Sequence, residues 1–215
     1  MVDYFDKSMV IYGIDCERCH GPAKQHVNFH EKNPQEKKAQ FITQYDSLPR
    51  QARLDLCAQC HSGAHPIRQT IFNFKPGDTL GNFFRPTAGD DISTAPKLDV
   101  HGNQYQLMAA SACFKKTTTL DCATCHNSHT SERDNMKIFS QRCMNCHTGV
   151  KHKSVADKDI IDNCIDCHMP AAPSRVIGMK SEDKAEASPN LVRTHLITTY
   201  RDATQRYIDS LKRSN

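Results

Sequence analysis

A mainly α-helical chain with much irregular backbone and little or no β-sheet is the fold class this sequence predicts, on three observations. The pentapeptide Cys-x-x-Cys-His occurs five times, beginning at Cys16, Cys57, Cys122, Cys143 and Cys164. Only 38% of the 215 residues are hydrophobic, Trp is absent and the mean hydropathy is −0.64, so the polypeptide alone cannot build a core in proportion to its length. Two long connections, 62–100 and 170–189, are punctuated by Pro and Gly.

The pentapeptide has a physical reason. Two thiols three residues apart lie on one side of a helical turn, where each can form a thioether with one vinyl group of a single porphyrin. The histidine that follows then offers its imidazole to the iron, and the whole is the attachment signature of haem c. The expected attachment residues are Cys16 and Cys19, Cys57 and Cys60, Cys122 and Cys125, Cys143 and Cys146, and Cys164 and Cys167. The expected proximal ligands are His20, His61, His126, His147 and His168. A structural zinc site closes a tetrahedron with two pairs, and five pairs each followed by His do not divide into such sets. A redox dithiol is one pair beside a βαβ pattern, and a disulfide framework wants an even count where this chain has 11 cysteines. The eleventh, Cys113, reads as a small hydrophobe beside a haem. Five covalently bound haem c groups, large and apolar, then form the core together with the side chains lying on them. The expected fold is that of a multihaem cytochrome c.

Along the chain, residues 35–45 are charged and good helix formers, and Ser47-Leu-Pro49 supplies an N-cap for a helix over 50–60 entering the second motif. In the 62–100 connection Pro66, Pro76, Gly77, Gly81, Pro86, Gly89 and Pro96 forbid long elements, and Phe72, Phe74, Phe83 and Phe84 are expected to lie over haem faces. Residues 157–168 read as a helix with acid near its start, running into the fifth motif. Residues 170–189, with Pro170, Pro173, Gly178 and Pro189, read as a second connection. Leu196, Tyr200, Ala203, Tyr207 and Leu211 recur at three or four residues, an amphipathic helix packed on the core. Its polar face mixes Asp, Thr, Gln and Arg, unlike a membrane-surface helix. The expected organisation is a single pentahaem domain over 1–215. Two spaced haems and a long loop occupy 1–100, a three-haem cluster 101–190, and the C-terminal helix 191–215.

The formal charge of +4 invites nucleic acid or anionic lipid as partners. A ferric haem with both propionates ionised is net negative, so five of them cancel that excess and leave a neutral to acidic protein. No nucleic-acid partner is expected. No run approaches the roughly 18 apolar residues that a membrane span needs, and the first residues lack the regions of a signal peptide. Covalent haem attachment takes place outside the cytoplasmic membrane. The expectation is therefore an exported protein, periplasmic or at the cell surface, with its targeting segment outside this sequence or the chain a piece of a larger one.

Of 12 histidines, seven lie outside the motifs: His26, His30, His65, His101, His129, His152 and His195. Each iron needs a sixth ligand, and His101, His129, His195, His26 and His152 are expected, in that order, to supply it, ahead of His30 and His65. His129 is too close in sequence to His126 to cross its own ring, and the same holds for His26 after His20 and His152 after His147. Each is expected on a neighbouring haem. Axial Met is the alternative and raises the potential; Met108, Met136, Met144, Met169 and Met179 are available.

Several stretches resemble a known group. Gly13-Ile-Asp-Cys-Glu-Arg-Cys-His-Gly-Pro-Ala-Lys-Gln-His26 is similar to the C-E-x-C-H-G-P-x-x-x-H block of the large multihaem cytochromes c. So are Cys57-Ala-Gln-Cys-His with the later Phe-Lys-Pro-Gly-Asp, Asp-Val-His101 followed by Ser-Ala-Cys113, Cys-x-x-Cys-His-x-x-His129, Cys-His-Met-Pro170 and Thr-His195. The group is related to the superfamily of pentahaem nitrite reductase, octahaem tetrathionate reductase and hydroxylamine oxidoreductase. The resemblance implies His26, His101, His129 and His195 as distal ligands, and an upstream segment with further haem motifs. Two departures stand out. There is no Cys-x-x-Cys-Lys of the kind nitrite reductases carry at the catalytic haem, and nothing near Tyr200 or Tyr207 marks a porphyrin cross-link.

The expected function is electron transfer along five closely packed, mostly bis-histidine haems, with redox proteins or a cell-surface acceptor as partners. A homo-oligomer or filament joined through terminal haems is compatible with it. The alternative is reduction of a small nitrogen or sulfur oxyanion at one five-coordinate haem, and a sensor or storage module is the third reading. The surplus of histidine favours conduction, because an enzyme needs one iron left open.

Overall fold

The computed structural model describes residues 8, 14–63, 71–84, 96–152, 160–180 and 186–213. They are mainly helical, with one small two-stranded antiparallel sheet. The helices are α1 (Cys16–His20), α2 (Lys24–Lys32), α3 (Arg50–His61), α4 (Gln104–Ala110), α5 (Ala112–Lys116), α6 (Met136–Met144), α7 (Ile165–His168) and α8 (Arg201–Arg213). The strands β1 (Ala171–Met179) and β2 (Ser188–Arg193) fill the second connection, so the expectation of irregular backbone there is corrected to a hairpin. Its register slips between Pro173 and Gly178, which is where the Pro and Gly that read as breakers are accommodated.

Short helices need explicit ends. The Asp15 side chain accepts the Glu17 N–H at 3.0 Å to start α1. Gly21 ends it at φ 76°, a conformation in which a Cβ is strained. Asn135 caps α6 by accepting the Ile138 N–H at 3.1 Å. The 50–60 helix is present as α3, but Ser47 does not cap it; its hydroxyl donates to the Gln44 carbonyl instead, and Pro49 stands at the N-cap.

Three helical expectations are corrected. Residues 35–45 form turns ending in a short 3₁₀ turn at Tyr45–Ser47. Of the 157–168 helix, residue 160 and Ile165–His168 are helical among the described residues, with a turn between them, and 153–159 lie outside those residues. The C-terminal helix starts at Arg201, so Leu196 and Tyr200 precede it on non-helical backbone.

The apolar core is thin and centres on α3. Leu56, Phe74, Phe83 and Phe84 pack together under Tyr45, Leu48 and Leu80, so three of the four loop phenylalanines bury one another. Phe72 is 64% exposed and lies under the Arg18 guanidinium. Pro66, Pro86 and Gly89 lie outside the described residues. Asp55, buried in α3, accepts the Leu80 N–H at 3.0 Å and the Gln51 amide at 2.8 Å, which ties the loop down.

Leu54 is the largest fully buried apolar side chain, 1% exposed. Leu54→Ala is expected to cost about 2–5 kcal/mol in guanidinium unfolding followed by far-UV circular dichroism. Val176→Thr on the open hairpin, 68% exposed, should stay within about 0.5 kcal/mol of the parent.

Candidate functional site

Each motif sits at a helix or a single turn. The first is α1 itself, the second ends α3, the fourth runs off the end of α6, and the fifth leads into α7. The third is a 3₁₀ turn, Cys122–Thr124, closed by a capping box in which Asp121 and Thr124 exchange side-chain and backbone bonds. In motifs three, four and five the histidine N–H donates to the carbonyl of the first cysteine, at 2.9, 3.0 and 3.1 Å. One turn of helix thus puts the first sulfur and the imidazole on the same side.

All eleven cysteines are free thiols, and none is fully buried. Two pairs meet across motifs: Cys57 with Cys122, and Cys143 with Cys164. Within each pair one thiol donates to the other. The bond with Cys57, and then burial, push Cys122 up, while donation from Cys122 lowers Cys57. The bond with Cys164, and then burial, push Cys143 up, and Cys164 falls to about 6. Cys19 neighbours Cys57 and Cys60, and Cys125 neighbours Cys113 and Cys146. The first cysteines of motifs two and three, and those of motifs four and five, therefore lie side by side.

The histidines are oriented by backbone carbonyls. The Nδ1 of His20 bonds to the Thr43 carbonyl at 2.7 Å, that of His26 to the Gln40 carbonyl at 2.7 Å, and that of His168 to the Thr198 carbonyl at 3.1 Å. Donation from Nδ1 fixes the tautomer that leaves Nε2 as a lone-pair donor. Two pairs of rings then lie close together and nearly parallel. His20 and His129 have centres 6.0 Å apart and planes at 27°; His126 and His195 are 6.1 Å apart at 28°. Each pair joins a motif histidine to one outside the motifs. Burial holds His195 down to about 4 and lowers His126. His195 is neutral at ordinary pH, the form a metal ligand requires.

The other expected ligands are placed differently. His26 stands on α2 with its ring 4.6 Å from that of His30. His101 is anchored through its N–H to Asp99 at 2.8 Å, and Asp99 in turn accepts the Ser174 hydroxyl at 2.9 Å and the Arg175 N–H at 2.6 Å. His152 is exposed and neighbours Cys164 and His168. His168 also neighbours His147, and His61 neighbours His126 and His195. His65 lies outside the described residues.

These residues fit haem c. Among the described residues no three His, Cys, Asp or Glu side chains converge as a protein-only metal site requires. Two imidazoles bound through Nε2 to one metal would have ring centres about 6 Å apart, the spacing of the pairs His20 with His129 and His126 with His195. The cysteines are at least partly accessible, and the buried Tyr45 hydroxyl, near Cys57 and Cys122, has no partner of its own.

No family model, curated protein or solved structure matches this chain.

Two groups escaped the sequence reading. Asp99 joins the His101 segment to the β-hairpin, and Arg142 of α6 forks onto Glu132, with Nη1 at 2.6 Å from Oε2 and Nη2 on Oε1. Arg142 Nη1 also donates to the Cys125 carbonyl at 2.8 Å, and Glu132 Oε2 accepts the Asn127 N–H at 3.0 Å. No periodicity announces a pair on a turn and a helix end.

The Arg142 bond, and then the Asn127 N–H, hold Glu132 at about 2, below its ordinary 4.5. A depressed carboxyl contributes stability that is complete above the ordinary value and lost as pH falls toward the folded one. Acid unfolding followed by circular dichroism should therefore show a loss between about pH 4.5 and 2 that Glu132→Gln removes. Superimposable curves would mean that the pair adds nothing in solution.

Proposed function

We propose that this chain is an electron-transfer multihaem c-type cytochrome carrying five haem c groups, similar to the nitrite reductase, tetrathionate reductase and hydroxylamine oxidoreductase superfamily. The observation that carries the reading is the repeated imidazole pair, His20 with His129 at 6.0 Å and His126 with His195 at 6.1 Å. A haem iron bound between such pairs changes between ferric and ferrous and passes one electron at a time. The chain's residues do the rest. The five cysteine pairs tether the rings, the motif histidines ligate from one side, and the Thr43 and Thr198 carbonyls fix the orientation of His20 and His168.

Two nitrogen ligands on an iron leave no position for a substrate, which favours conduction over oxyanion reduction at the first and third motifs. The sulfur contacts support a linear order. Cys19 beside Cys57, Cys57 on Cys122, Cys125 beside Cys146 and Cys143 on Cys164 bring successive motifs edge to edge, one to five. His101, His26 and His152 are the remaining ligands proposed for the other irons. Among the described residues no helix is long and apolar enough to cross a membrane. Because haem is attached covalently outside the cytoplasmic membrane, the proposed location is the periplasm or cell surface, and the proposed partners are redox proteins or a surface acceptor.

Intact mass of the protein made in a host that attaches haem c should show five added haem groups, and the ferric optical and EPR spectra should be low-spin throughout. His129→Ala and His195→Ala should each turn one haem high-spin, with the other four unchanged. A native high-spin signal that shifts on adding nitrite would favour the reductase reading. A mass without covalent haem would refute both.

A further inference from the structure

His129 stands in the turn-rich stretch 125–135, exposed and outside any helix or strand, yet its ring is held 6.0 Å from that of His20. An exposed turn does not confine an imidazole by itself, because few apolar contacts restrain it. Resting on the cytochrome reading, we propose that Glu132 and Arg142 are positioning residues that hold His129 in place as the distal ligand of the first haem.

The path from a rigid element to the ligand is continuous. Arg142, on α6, grips both carboxylate oxygens of Glu132 and the Cys125 carbonyl, which pins the turn at two points. Glu132 accepts the Asn127 N–H at 3.0 Å, and the Asn127 side chain accepts the His129 N–H at 3.0 Å. Fixing those donors fixes the backbone from which the imidazole projects. The pair is shielded, its side chains 21% and 10% exposed, and a two-pronged Arg–carboxylate bond has directional strength that a single-point contact lacks. The pair of Lys137, on the same helix, with Asp162 is the contrast: 61% and 56% exposed, it is joined at one point.

α6 also sets the neighbouring iron's ligand. Phe139 meets the His126 ring edge-on at 5.3 Å and lies under the Arg142 guanidinium at 5.6 Å. One helix thus governs a proximal ligand of the third haem directly and a distal ligand of the first through Glu132. Arg142→Lys keeps the charge and loses the fork; Glu132→Gln keeps an acceptor for Asn127 and loses the ion pair.

The test uses the full-length haem-loaded protein and ferric EPR. Arg142→Lys and Glu132→Gln should each keep five covalent haems by intact mass while part of one haem's signal becomes high-spin. That fraction should share the signature of His129→Ala and return to low-spin on adding free imidazole. Lys137→Gln should match the parent. Spectra of both clamp variants that remain wholly low-spin would overturn the proposal while leaving the cytochrome reading intact. So would a general loss of haem or of fold in both variants, which is a structural role only, or a His129→Ala spectrum with no high-spin haem. A parent chain without covalent haem would overturn both readings.

Discussion

The structure turns on keeping certain imidazoles apart. Ring centres 6.0 and 6.1 Å apart lie at the outer reach of weak aromatic contact, where side chains gain little from each other and lose rotamer freedom by being fixed. Contact alone gives no reason for the same spacing and nearly the same tilt to recur in two pairs. A metal held between the rings, as proposed above, would give both pairs the same reason. The same reading would account for sulfurs left accessible where cysteine usually buries itself and for a small apolar core among the described residues.

The same constraint explains what the sequence reading missed. Residues 35–45 have the composition of a helix, yet the Gln40 and Thr43 carbonyls bond to His26 and His20, the Thr43 N–H bonds to the His20 carbonyl, and Phe41 sits at φ 57°. A helix there would commit those carbonyls to its own ladder. The start of the C-terminal helix is displaced for the same reason. The Thr198 carbonyl accepts from His168, the Thr198 and Tyr200 N–H groups pair with the His168 and Cys167 carbonyls, and the Ile197 N–H bonds to the Ser111 hydroxyl. Helix propensity was legible in both segments and was overridden where backbone was needed to aim a histidine.

What could be read was the chemistry that is local in sequence. Five cysteine pairs with their histidines are contiguous, and the argument that His129 must serve a ring other than its neighbour's needed only chain geometry. Which ring it serves depends on a fold that brings residue 129 to residue 20, and no pattern encodes that. The hairpin was hidden for a different reason. Pro173, Gly178 and Pro189 read as breakers, but a two-stranded ribbon tolerates them at a register slip and on its open edges.

Chain direction adds one more consequence. In both imidazole pairs the partner outside the motif lies downstream, His129 after His20 and His195 after His126. In the proposed cytochrome, a haem tethered at the first motif would therefore meet His20 at once and His129 only after the third motif has been made and its turn has folded; a haem at the third motif would wait likewise for His195, beyond the end of β2. Closing such long loops is entropically costly, and the ligand bond formed at closure offsets that cost only if the imidazole arrives already oriented. The hydrogen-bonded turn behind His129 supplies that orientation through local contacts, so the long-range joint between residues 20 and 129 depends on a clamp only ten residues long, between Glu132 and Arg142.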